Sequence, residues 1–173
     1  MFFADNTEII RTIEDCPIAL FARPFRFGKS LLISMLEAYY DIQQKDNFDV
    51  LFGGLNIHQQ PTKLQNTYYV LRFNLAPFDL ETSSPQRIHD LINRAISDFI
   101  GKYRFTEIEV NHDNAIDSLQ AVFGFMRNQN LPLYIMIDEY DKATNALLLN
   151  NSTQYLEFLS EEKKSKRTNE DKR

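Results

Sequence analysis

The sequence has one cysteine, Cys16, and no tryptophan. A lone thiol closes no disulfide within the chain and builds no zinc site from cysteines. It fits a reducing interior. Histidine is as sparse: His58, His89 and His112 are scattered along the chain. Only His89 has an acidic neighbour, Asp90, and adjacent residues on a helix do not face each other. A histidine metal site or catalytic triad therefore has no support. No run approaches the roughly eighteen apolar residues of a membrane-spanning helix. The opening, Met1 to Asp5, turns acidic too soon for a secretory leader. The cytoplasm is the expected compartment. An excess of basic residues is missing too. The net charge of -5 over 173 residues argues against a nucleic-acid binder that works through a broad basic face.

What is present is the composition of a soluble domain, long enough for one real core. Phenylalanine and tyrosine are interspersed with aliphatic residues at helix or strand spacing, which points to core rather than to base stacking. From Ser160 the composition changes, and residues 160–173 contain no apolar residue. Lys163, Lys164, Lys166 and Arg167 share that stretch with Glu161, Glu162, Glu170 and Asp171, so it reads as a solvated, disordered tail. The folded domain is expected over residues 1–159.

Along the chain, Asp5 with Glu8 three residues later predicts a capping box opening a helix with Ile9, Ile10 and Ile13 on its apolar face. That helix should stop before Pro17. Ile18 to Phe21 reads as a short buried strand, and Lys29 to about Asp41 as a largely apolar helix. Asp46 to Ile57 reads as a short helix, a Gly53-Gly54 turn and an extended piece. Tyr68 to Leu75 has strand composition. A linker over 79–84 precedes a helix from Ser84-Pro85 to near Gly101, and another helix is expected from Asn114 to Asn128. Leu133 to Ile137 is a strongly apolar strand, and a last helix is expected from Thr144 to Leu149.

Two stretches carry chemistry. The first is Arg23-Pro24-Phe25-Arg26-Phe27-Gly28-Lys29-Ser30, with an apolar run before it and an apolar helix after it. It ends like the phosphate-binding loop G-x-x-x-x-G-K-[ST], but Arg23 stands where the first glycine belongs. The second is Asp138-Glu139-Tyr140-Asp141, at the end of an apolar strand. Strands followed by helices predict an α/β fold with a parallel sheet, which binds ligands at the carboxyl ends of its strands. There, loop N–H groups and the helix N-terminus would cradle phosphates, and Lys29 would reach the outer ones. Ser30 and Asp138 would hold Mg²⁺, and Glu139 would orient or deprotonate an attacking water. The plainer alternative is a glycine-led helix start and an acidic strand end, both merely solvated. Asp141 either supports the metal shell or caps the next helix.

These residues resemble the AAA-ATPase-like family, in which an arginine-containing phosphate loop is the norm. The resemblance rests on Arg-Pro-x-Arg-Phe-Gly-Lys-Ser-Leu-Leu and on Asp-Glu-Tyr-Asp after a strand. Asp5-Asn6-Thr7-Glu8-Ile9-Ile10, Leu51-Phe52-Gly53-Gly54-Leu55-Asn56-Ile57 and Tyr69-Val70-Leu71-Arg72-Phe73 agree with it. It covers about residues 2–158. It implies a P-loop NTPase-like three-layer α-β-α fold that binds ATP with Mg²⁺, using Arg23, Arg26, Phe27, Gly28, Lys29, Ser30 and Leu31. Phe25 stands where the family commonly has arginine, so one cation near the phosphates is absent. Family members continue past the Asp-Glu strand into a sensor strand and often a nuclease-like domain. The resemblance thus implies a truncated member with an incomplete sheet of three strands, near Ile18, Tyr69 and Ile135. Open sheet edges invite a protein partner or self-association. With no arginine finger assignable, hydrolysis is expected to be slow. The alternative is a non-catalytic fragment acting as a protein-interaction module.

Overall fold

A computed structural model describes residues 5–16, 18–21, 28–77 and 85–140 of the chain. Tyr69–Asn74 (β1) and Leu133–Asp138 (β2) pair in parallel, in register from Tyr69 opposite Leu133 to Asn74 opposite Asp138. Among the described residues these two strands are the whole sheet. Parallel pairing demands a long crossover, and two of the helices lie within it.

In chain order the helices are α1 (Ile9–Glu14), α2 (Lys29–Tyr40), α3 (Phe48–Phe52), α4 (Asn56–Gln59), α5 (Pro85–Tyr103) and α6 (Ala115–Asn128), with a 3₁₀ turn over Ile42–Asn47. Side chains alternate across the strands. One face presents Val70, Arg72, Tyr134, Met136 and Asp138. Helix α2 covers it, burying Leu36, Tyr39 and Tyr40 with Val70, Met136, Ile10, Ile13 and Phe52. Tyr40 stacks on Tyr134 with ring centroids 4.7 Å apart. The opposite face is covered by α5 and α6, whose Ile96, Phe99, Val122 and Met126 pack on Leu71 and Phe73. Helices on both faces of a parallel pair make this an α/β arrangement. Among the described residues no helix is long and apolar enough to cross a membrane.

Most expected elements are present, with instructive differences. Ile18 to Phe21 forms no strand, and Ile18 and Leu20 are 89% and 74% exposed. An extended segment becomes a strand only by joining a ladder, and among the described residues β2 pairs with β1 alone. Nor is β2 buried on both faces. Helix α5 packs on β1, which leaves Ile135 and Ile137 of β2 about half exposed. The capping box is absent as well. Helix α1 starts at Ile9 with no side-chain cap. Asp5 instead accepts the Thr7 N–H at 2.9 Å and hydroxyl at 2.7 Å, and the Asn56 N–H at 2.7 Å. That last bond gives a donor at the start of α4 its acceptor, and a helical turn stands where an extended piece was expected. Helix α5 runs through Gly101 to Tyr103, where Arg104 in the left-handed region (φ 58°) turns the chain out. Helix α6 is capped by Asn114, one residue before its first turn, whose side chain accepts the Ile116 N–H at 3.0 Å. The expected linker over 79–84, the helix at Thr144–Leu149, Asp141 and the tail 160–173 lie outside the described residues.

Candidate nucleotide site

Gly28 caps α2 with φ 76° and ψ 21°. A β-carbon there would meet nothing within 4 Å, so the need for glycine lies in the backbone conformation and not in space. Its carbonyl accepts the Leu32 N–H at 2.9 Å, the first bond of the helix. Lys29 and Ser30 therefore occupy the first turn, where the helix dipole favours negative charge. At the other side of the site, β2 ends in Asp138, and Glu139 takes the left-handed conformation (φ 57°) that bends the chain away.

These two termini border one cavity of about 840 Å³, lined at this end by Lys29, Asp138, Glu139 and Tyr140. Its apolar walls include Leu32, Ile33, Ile135 and Ile137, with Ile18 and Leu20 from the unpaired segment. The structure thus brings three of the expected site residues together. Ser30 and Gly28 are exposed at the start of α2 and do not line the cavity, and Leu31 is 62% exposed. Arg23, Arg26 and Phe27 lie outside the described residues.

Asp138 is 3% exposed, and both its oxygens are engaged. Oδ1 accepts the Glu139 N–H at 3.0 Å, and Oδ2 accepts from Arg72 Nη2 at 2.8 Å. Arg72 also donates to Glu37 Oε2 at 3.1 Å. Glu37 Oε1 in turn accepts from Lys102 Nζ at 3.0 Å, and Lys102 stands 2.6 Å from Asp41 Oδ2. Asp41 Oδ1 accepts from the Tyr103 hydroxyl at 2.9 Å. The result is a row of alternating charges running from the end of β2 under α2 to the end of α5. Partial burial pushes the Arg72 guanidinium down, but hydrogen bonds and charge from Asp138 and Glu37 outweigh it and hold it above its ordinary value. Lys102 is raised in the same way by Asp41 and Glu37, against its burial.

Sequence reasoning missed this row. One signal was readable: Arg72 interrupts an apolar strand, and a charge in such a place needs a partner. Glu37 is the one acid in α2.

The Asp138 carboxylate is a hard oxygen donor of the kind magnesium takes alongside phosphate and water, whereas the Ser30 hydroxyl, of equally suitable chemistry, stands outside the cavity that Asp138 lines. Among the described residues no three His, Cys, Asp or Glu side chains converge on a metal site. Asp138 Oδ2 is at present held by Arg72.

The family model described as Predicted AAA-ATPase matches residues 1–165. No curated protein and no solved structure matches the chain.

Proposed function

The chain belongs to the family described as Predicted AAA-ATPase, and from that premise we propose that it binds ATP with Mg²⁺ between the start of α2 and the end of β2. One observation carries the reading. Lys29, in the first turn of a helix, shares a cavity with Asp138 and Glu139 at the end of a parallel strand. A helix N-terminus favours phosphate, and a lysine beside it adds a compact positive charge. Arg23, Arg26, Phe27, Gly28, Ser30 and Leu31 complete the nucleotide contacts, with Arg26 as a second phosphate-side cation. Ser30 and Asp138 hold the metal, which when bound neutralises charge on the outer phosphates. Glu139 orients or deprotonates the attacking water. Slow ATP hydrolysis is the most that the proposal extends to, since the residues it names include no arginine finger. The P-loop NTPase fold belongs to the same proposal, supported by the parallel pair and by helices on both its faces.

The test is a titration with fluorescent ATP and Mg²⁺, repeated on Lys29→Ala. A loss of affinity of roughly tenfold or more is expected for removal of a charged contact to phosphate. Equal binding by both proteins, or binding by neither, removes the reading. ATP turnover that survives Glu139→Gln removes Glu139 from its role.

A second reading has its own observation. Ile135 and Ile137 are half exposed on a strand that, among the described residues, pairs on one side only. Such an edge suits a protein partner or a second copy of the chain. The two readings separate on whether nucleotide binds at all.

A further inference from the structure

We propose that Arg72 is a positioning residue that controls when Asp138 can take a divalent cation. The inference rests on the reading of Asp138 as a metal ligand. The buried carboxylate of Asp138 has its Oδ2 on Arg72 Nη2 at 2.8 Å and its Oδ1 on the Glu139 N–H at 3.0 Å. A hard cation needs a carboxylate oxygen with lone pairs turned toward it. A guanidinium on that oxygen occupies the direction and repels the incoming charge. Asp138 thus has two competing cationic partners, and they cannot share Oδ2 without cost.

The surroundings let Arg72 withdraw. Its Nη1 already donates to Glu37 at 3.1 Å and lies 3.4 Å from the Ser34 hydroxyl, both on α2. When Arg72 leaves Asp138 it keeps a carboxylate, so its half-buried charge is not stranded. Glu37 is also the partner of Lys102, which limits how strongly it draws Arg72 away. The balance between Glu37 and Asp138 therefore sets how readily Asp138 becomes available. Arg72 sits opposite Met136 in the parallel register, two positions before Asp138's own partner Asn74. Its side chain reaches Asp138 along the strand, and rotation of that side chain is the motion the exchange requires.

The experiment compares ATP affinity in Mn²⁺ with ATP affinity in EDTA, and reads bound Mn²⁺ by electron paramagnetic resonance. The ratio of the two affinities is the advantage the metal confers. Arg72→Met is expected to raise that ratio roughly tenfold, the scale of coupling between contacting charges. Glu37→Gln is expected to lower it, because Arg72 is left with Asp138 as its carboxylate partner. In an Asp138→Asn background, Arg72→Met is expected to change nothing. Glu37→Gln keeps the question open to measurement should Arg72→Met fail to fold, since the two shift the ratio in opposite directions. A ratio unchanged or lowered by Arg72→Met, or raised by Glu37→Gln, overturns the proposal while leaving nucleotide binding intact. Failure of the wild-type chain to bind ATP in either medium removes the nucleotide reading and this inference together.

Discussion

Lys102 Nζ stands 2.6 Å from Asp41 Oδ2, and the Asp41 side chain is 1% exposed. The lysine comes from the last turn of α5 and the aspartate from the end of α2, so one ion pair joins the helices on opposite faces of the sheet. Lys102→Met leaves a buried carboxylate without its cation. Breaking a buried pair from one side costs about 3 kcal/mol or more. The Tyr103 hydroxyl and Gln43 N–H continue to satisfy Asp41 Oδ1, but the buried Oδ2 that Lys102 faces gains no donor from them, so a loss within that range is expected. Urea unfolding of the variant, compared with wild type, measures it. A loss under about 0.5 kcal/mol, as at an ordinary surface site, would show that the pair is not closed in solution.

Alkaline pH should unfold the protein in a way neutral pH does not foreshadow. Burial pushes the hydroxyls of Tyr40, Tyr103 and Tyr134 above the usual tyrosine range. Lys102 is also raised, because Asp41 and Glu37 outweigh its burial. In each case the folded chain keeps a proton that the unfolded chain gives up at about pH 10. The unfolded state then binds fewer protons, so stability falls as pH rises. The contribution is complete below about pH 10 and is lost as pH climbs toward the folded-state values. Tyrosinate absorbance should therefore rise in two steps, the second coincident with loss of helical circular dichroism. A single smooth titration with the fold intact would contradict the burial of these three rings.

How much of this was legible beforehand depends on sequence distance. Helix α2 was readable because its apolar residues recur locally and Gly28 precedes them. β1, β2 and the start of α6 near Asn114 were readable for the same kind of reason. Lys29, Asp138 and Glu139 were expected to meet at the carboxyl ends of strands; Asp138 does end β2, but Ile18 to Phe21 forms no strand, and Lys29 lines the same cavity from the first turn of α2. The charge row was not readable, because Glu37, Arg72, Lys102 and Asp138 are far apart in sequence and meet only once the sheet and α2 have packed. Asp5 shows the converse. Its local spacing to Glu8 spelled a capping box, but Thr7 and Asn56 offered donors of their own, and a tertiary contact displaced the local one. Ile18 to Phe21 has strand composition, and composition says nothing about whether a ladder is there to join.

Gly28→Ala tests the backbone argument directly. The added methyl has open space around it, so steric contact with neighbours contributes nothing. What remains is a non-glycine residue held at φ 76°, which costs about 1 kcal/mol. Gly28→Asn should cost less, since asparagine tolerates the left-handed region better. Thermal denaturation ranks the three proteins. Equal stability of the alanine variant would mean that the start of α2 re-forms in a right-handed conformation.

The exposed isoleucines of β2 make the last prediction. Ile135 and Ile137 project from the face that α5 covers over β1 but not over β2, and they are 43% and 50% exposed. Two neighbouring large aliphatics beside a strand edge that is unpaired among the described residues suit docking of another chain. Replacing either with lysine removes apolar surface from the edge and adds charge repulsion between copies. Because each side chain is already half in water, the fold should lose little, within about 1 kcal/mol. Self-association should fall in Ile135→Lys and further in the double variant Ile135→Lys, Ile137→Lys, read by sedimentation velocity across a concentration series. Melting temperature serves as the control. Unchanged association with an unchanged melting temperature would mean that these residues do not form the contact between copies. A large fall in melting temperature would instead show them packed in solution, and would remove β2 as an open edge.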